Sequence, residues 1–168
     1  MSRLQSPKAP GELSSETLLE IMRGAYFAID GIWFLAVEEK FGFDMAFEVD
    51  KDVWKKYEAV MARRIRKHLG LMKQDIPAIV ETMKTLFLLE DWKIEAVEVS
   101  ENEALLKVEF CPWYSYLKKA GREKAISKLC PEICLTLFNA WAKEINPNVT
   151  VRMPRPVPSC EIVLNLQR

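Results

Sequence analysis

Residues 92–112 read WKIEAVEVSENEALLKVEFCP, and the fold turns on this stretch. Trp92, Ile94 and Ala96 alternate with charged neighbours, and Val97 and Val99 continue the run. Ser100-Glu101-Asn102-Glu103 supplies a turn, after which Ala104, Leu106, Val108 and Phe110 alternate again. A two-residue apolar period on either side of a short polar turn predicts an antiparallel hairpin. Cys111-Pro112 closes its second strand and opens a helix that ends at Gly121, because proline suits the first helical turn.

Upstream the period lengthens. Ser14-Ser15-Glu16 predicts a helix start and Gly42 a helix end, with Leu18, Met22, Tyr26, Ile29, Trp33, Ala36 and Val37 recurring at helical steps. Gly24 and Gly31 weaken that helix in its middle. Asp44 is expected to cap a short turn through Val49. Asp50 is expected to cap a second long helix ending at Gly70, its apolar face carrying Val53, Trp54, Tyr57, Val60, Met61, Ile65 and Leu69. A third helix starts near Asp75, tolerates Pro77 in its first turn, and carries Ile79, Val80, Met83, Leu86 and Phe87.

Downstream, Cys130-Pro131 is expected to open a helix through Leu137, Phe138 and Trp141 to about Ile145. Asn146-Pro147 stops it. Val149–Met153 and Cys160–Leu166 read as two final strands around the loop Pro154-Arg155-Pro156-Val157-Pro158. Segregated helices and strands give an α+β fold, a helical N-terminal half packed on a C-terminal ββ-helix-ββ unit with one antiparallel sheet. Residues 1–13 read as a flexible lead-in and 14–168 as one domain, with 14–90 its helical half and 91–168 its sheet-containing half.

The 168 residues are 49% hydrophobic and 29% charged, with 24 basic against 24 acidic side chains. That is ordinary globular composition. Zero net charge argues against general nucleic-acid or anionic-membrane binding. The apolar run from Gly24 to Val37 is interrupted by Asp30 and falls short of the roughly 20 residues a membrane span needs. No signal peptide is visible, so a cytoplasmic location is expected and the four cysteines are expected reduced. Six glycines scattered singly form no phosphate-cradling loop, which removes a nucleotide cofactor.

Cys111 is read at a strand-to-helix joint, Cys130 at a helix N-terminus, Cys134 one turn later, and Cys160 on the face shared by Ile162 and Leu164. Thiolates on separate rigid elements suit a soft ion such as zinc, and a helix N-terminus lowers a thiol's pKa. Cysteine is also among the residues most often buried, so plain packing competes with a metal or reactive-thiol site. Asp30, beside Tyr26 and Trp33, is a candidate proton-transfer group if partly buried, and a capping or ion-pair residue otherwise. Glu38 is a second candidate near the same helix end. Trp33, Trp113 and Tyr116 are candidates to line an apolar ligand pocket, with core packing as the cheaper account and a homodimer interface as the account if they are exposed. His68 is the lone histidine and sits near a helix C-terminus, which leaves Ser-His-Asp chemistry without support. Arg63 and Arg64 could bind an anion only by turning inward.

DGIWFLAVEEKFG (Asp30 to Gly42), the DVWKKYEAVMARRIRKHLGL run, the Cys-Pro after a strand, Cys130 upstream of Asn146-Pro147 and the proline loop into Ser159-Cys160-Glu161 together resemble an uncharacterised prokaryotic family with that first signature. That family is in turn similar to L-2-amino-thiazoline-4-carboxylate hydrolase-like proteins. More distantly, the ββ-helix-ββ half resembles 4-vinyl-reductase-type small-molecule-binding domains, some of which bind zinc near their ligand pocket. Three expectations follow. The first is a module that binds a small organic molecule and carries a cysteine-held zinc. The second is a hydrolase of a small cyclic amide- or amidine-like substrate, with Cys111 or Cys130 as nucleophile and Asp30 or Glu38 moving the proton. The third is a helical adaptor or dimerisation protein.

Overall fold

A computed structural model describes residues 10–155 and 160–167. After a short 3-10 turn at Pro10–Glu12 come α1 (Ser15–Phe41), α2 (Phe43–His68) and α3 (Ile76–Glu90). The hairpin β1 (Lys93–Val99) and β2 (Glu103–Phe110) follows, then α4 (Pro112–Lys119), α5 (Glu123–Ile145), β3 (Val149–Arg152) and β4 (Glu161–Leu166). The strands form one antiparallel sheet in the order β1-β2-β4-β3. The fold is α+β, with a helical N-terminal half and the strands in the C-terminal part.

The caps follow from the sequence. Ser14 accepts a hydrogen bond from the Thr17 N–H and Asp75 accepts one from Ala78, each satisfying a donor that a helix start leaves free. Gly42 both ends α1 and starts α2. Its φ of 83° lies where a side chain is disfavoured; its N–H donates to the Glu38 carbonyl and its own carbonyl accepts from Ala46. One glycine thus reverses the chain between two helices of 27 and 26 residues.

Several expected boundaries and faces change. α2 begins at Phe43, so no turn runs from Asp44 to Val49, and Asp50 is a buried residue inside the helix rather than its cap. The buried stripe of α2 is Ala46, Phe47, Asp50, Trp54, Glu58, Ala62 and Ile65. It shares Trp54 and Ile65 with the expected stripe, while Val53 is exposed. In α1 the inward residue is Phe27, and Leu18, Met22 and Ile29 lie exposed. Apolar residues ring that helix, so hydrophobic period alone could not choose its inner side. α5 begins at Glu123, not at Cys130, and Pro131 lies within it. Eight helical residues precede the proline, Glu123, Lys124, Ala125, Lys128 and Leu129 among them being good helix formers, and they carry the helix through it. The loop from Pro156 to Ser159 and the lead-in through residue 9 lie outside the described residues.

The core forms where the sheet meets α3 and α5. Ala104, Leu106 and Val108 of β2, Val149 and Val151 of β3, and Ile162 and Leu164 of β4 alternate inward. All five expected α3 residues are buried against them. Trp141 of α5 is fully buried, and its indole N–H donates 2.9 Å to the Thr82 hydroxyl, which in turn donates to the Ile79 carbonyl. Burying such a large side chain is worth on the order of 2–3 kcal/mol, provided its one polar atom is paired, as here. α2 packs on α5, and a space is left among the helices.

Candidate functional site

The five helices leave a cavity of about 210 Å³ between them. Phe34 and Leu35 of α1, Trp54 of α2, Leu86 and Phe87 of α3, and Trp92 form one part of its wall. Trp113 and Leu117 of α4 and Leu129, Ile133, Leu137 and Phe138 of α5 form the rest. Admission of one water needs only about 10–15 Å³, and apolar cavities of about 150 Å³ take up a benzene ring. The space therefore suits a one-ring molecule.

Three carboxyls stand in this apolar wall: Asp50 and Glu58 of α2, two turns apart on the stripe that carries Trp54, and Glu90 at the end of α3. Glu90 is fully partnered. Its Oε1 accepts from the Tyr26 hydroxyl at 2.9 Å, and its Oε2 accepts from the indole N–H groups of Trp92 at 2.9 Å and Trp113 at 3.0 Å. Asp50 and Glu58 are not: Asp50 Oδ1 and Glu58 Oε2 are buried without a hydrogen-bond partner. These two residues are 5% and 3% exposed. Unpaired buried polar atoms are costly, and in folded proteins they concentrate where something else binds.

Electrostatics bind the acids into one group. Burial pushes Asp50 up to about 7, with the Asp30 charge adding to it and the Trp54 indole opposing it. Burial likewise raises Asp30 to about 6, despite the hydrogen bond of 3.1 Å that Trp54 Nε1 donates to its Oδ1. Burial also raises Glu58 and Glu90, and the Glu90 charge raises Glu58 further. Tyr26 is pushed up by burial and by Glu90. Arg23 offsets part of this at Glu90, which its charge lowers. Arg122 lines the cavity, but its Nη2 donates to both oxygens of Glu38, at 2.9 and 2.8 Å. Arg23 is turned onto the Leu88 and Leu89 carbonyls.

Glu38 is thus half-buried and holds Arg122 at the cavity. Asp30 stands beside a smaller hollow of about 170 Å³ with Tyr26, Val53 and Tyr57, separated from the main cavity by Trp54. Trp113 lines the main cavity. Trp33 does not; its neighbour Phe34 does. Tyr116 is half-exposed and stacks on Phe27 at 4.4 Å between ring centroids. Trp113 joins the same cluster, meeting Phe27, Trp54 and Tyr26 edge-on. His68 is exposed at the end of α2, and Arg63 pairs outward with Glu144.

All four cysteines are free, and their charges are felt by one another, so they share one neighbourhood. Cys130 and Cys134 line the cavity from α5. Cys160 is buried on the face of Ile162 and Leu164. Cys111 caps α4, its Sγ accepting from the Tyr114 N–H at 3.3 Å. The helix start does not activate it, because burial outweighs that bond and pushes the thiol up to about 12. Burial similarly pushes Cys160 up to about 11. Cys130 is held below its ordinary value, not by a helix terminus but by a hydrogen bond from Cys134 one turn on. Four thiols are a suitable donor set for zinc. As they stand, no group of three or more His, Cys, Asp or Glu among the described residues is arranged to hold a metal ion.

The sequence reading missed Asp50, Glu58 and Glu90. Asp50, Trp54 and Glu58 do recur at four-residue steps, in line with Phe47 and Ala62, and that register was the available signal. No helix among the described residues is long and apolar enough to cross a membrane.

No curated protein matches the chain. Among solved structures, the phenol-responsive sensory domain of the transcription activator PoxR, determined with phenol, is similar with a TM-score of 0.59 and 12% identity. The match covers 83% of this chain and 73% of that one, and at this identity it shows a shared fold. A family model described as a family of unknown function, DUF6125, matches residues 11–161, and the chain belongs to that family.

Proposed function

We propose that this chain is a small-molecule-binding domain whose ligand occupies the cavity enclosed by α1–α5. The observation that carries the reading is that cavity itself: ring-sized, walled by aromatic and aliphatic side chains, with a few buried polar groups converging on it. This is the usual make-up of a ligand site. The fold neighbour is described as phenol-responsive and sensory, and a sensory role here agrees with that likeness. Against a hydrolytic role for two of the candidates, burial holds the Cys111 thiol protonated and Glu38 is committed to Arg122. Trp54, Trp92 and Trp113 line the cavity, so intrinsic fluorescence reports occupancy. Titration with one-ring probes, phenol among them, is expected to give a saturable change that Ile133→Trp abolishes by filling the space. Unsaturable responses, or full binding by the filled variant, would overturn the reading.

A zinc ion held by Cys111, Cys130, Cys134 and Cys160 is a second, separable proposal, supported by the neighbourhood the four thiols share. When bound, it would supply a structural tie between α4, α5 and the last strand. Elemental analysis of protein purified reduced and without chelator tests it, and less than about a tenth of an equivalent per chain would dismiss it.

A further inference from the structure

We propose that the ligand of this cavity is a compact organic amine or amidine, recognised by Asp50 and Glu58 as acceptors with the indole and phenyl walls around its apolar body. The inference rests on the binding reading above and names its ligand class. Among the described residues, Asp50 Oδ1 and Glu58 Oε2 are the buried carboxyl atoms left without a partner, and both residues line the same space. Each is an acceptor when ionised, so the missing group is a donor. A hydroxyl supplies one donor; an ammonium supplies three, and an amidinium offers a planar fork, either of which can serve two carboxyls.

Charge points the same way. The Glu90 charge raises Asp30 and Glu58 and the Asp30 charge raises Asp50, while Arg122 is engaged by Glu38 and Arg23 by backbone carbonyls. A guest cation would relieve that repulsion, which a neutral guest would not. The wall is also suited to it, because Trp54, Trp92, Trp113 and Phe87 line the space and aromatic rings attract a desolvated cation. Glu90, whose three donors saturate it, fixes two of those indoles in place.

The test is calorimetric titration of the full chain, kept reduced at mildly alkaline pH, with benzylamine and with the neutral isostere benzyl alcohol. Benzylamine is expected to bind at least about tenfold more tightly than benzyl alcohol. Glu58→Gln and Asp50→Asn should each cost benzylamine about tenfold while leaving benzyl alcohol within about threefold, which also shows the variants are folded. Benzyl alcohol binding as well as benzylamine, or carboxamide variants that keep full benzylamine affinity, would overturn the amine assignment and leave the cavity reading standing. Failure of both probes to bind would overturn both.

Discussion

Replacing Glu90 by alanine strands three donors at once. The Tyr26 hydroxyl and the indoles of Trp92 and Trp113 all end on this carboxyl, which is 6% exposed, and they come from α1, the start of β1 and α4. An unsatisfied buried donor costs about 1–2 kcal/mol, so three cost about 3–6 kcal/mol, less whatever is regained by no longer burying an acid. Glu90→Gln behaves differently. The amide oxygen can accept both indoles, the amide N–H₂ can donate to the Tyr26 oxygen, and the desolvation that raises Glu90 disappears, leaving a loss of about 1 kcal/mol or less. Thermal unfolding monitored by circular dichroism separates the two. A chain of this size loses about 2–4 °C of Tm per kcal/mol, so a difference of about 2–5 kcal/mol should put the alanine variant about 4–20 °C below the glutamine variant. Equal stability of the two variants, or an alanine variant within about 1 kcal/mol of the parent, would refute the idea that Glu90 ties these elements together.

Other outcomes follow from the same contacts. Asp50 and Asp30 have folded values raised to about 7 and about 6, so the folded chain keeps protons that the unfolded chain has released. Stability should therefore fall from about pH 4 through about pH 7 by a few kcal/mol, and Asp50→Asn should flatten the decline in denaturation at the two ends of that window. Thr82→Val leaves the buried Trp141 N–H without its acceptor and should cost about 1–3 kcal/mol, while Thr82→Ser costs under about 1, both read from urea midpoints. Alkylation of the native reduced protein, mapped by mass spectrometry, should modify Cys130 before Cys111 or Cys160, because Cys130 alone of the three is held below its ordinary value. Labelling of Cys111 first would contradict that ordering.

The hairpin, the Ser14 and Asp75 caps and the α3 core stripe were legible because each rests on local chemistry: a period of two, a side-chain oxygen three residues before a free N–H, a five-residue apolar face. What was not legible depends on tertiary choice. Asp50 has the side chain of a cap, and local rules place it at a helix start; Gly42 had already begun the helix, which carried Asp50 inward. Glu58 reads as a solvated charge, since burying an acid is unfavourable unless something answers it. Cys130-Pro131 reads as a beginning because proline fits there, and the residues from Glu123 onward override it. The site was hidden for the reason that makes it a site: its residues break the rules that reveal a core.

Pro131 has no N–H to give the Ser127 carbonyl, so α5 is short of one rung at the level of Leu129, Cys130, Ile133 and Cys134, all of which face the cavity. A helix is most easily deformed where its ladder is interrupted. The α5 side of the cavity is therefore the side whose backbone ladder is interrupted, and α5 leads directly into the sheet through Asn146 and β3.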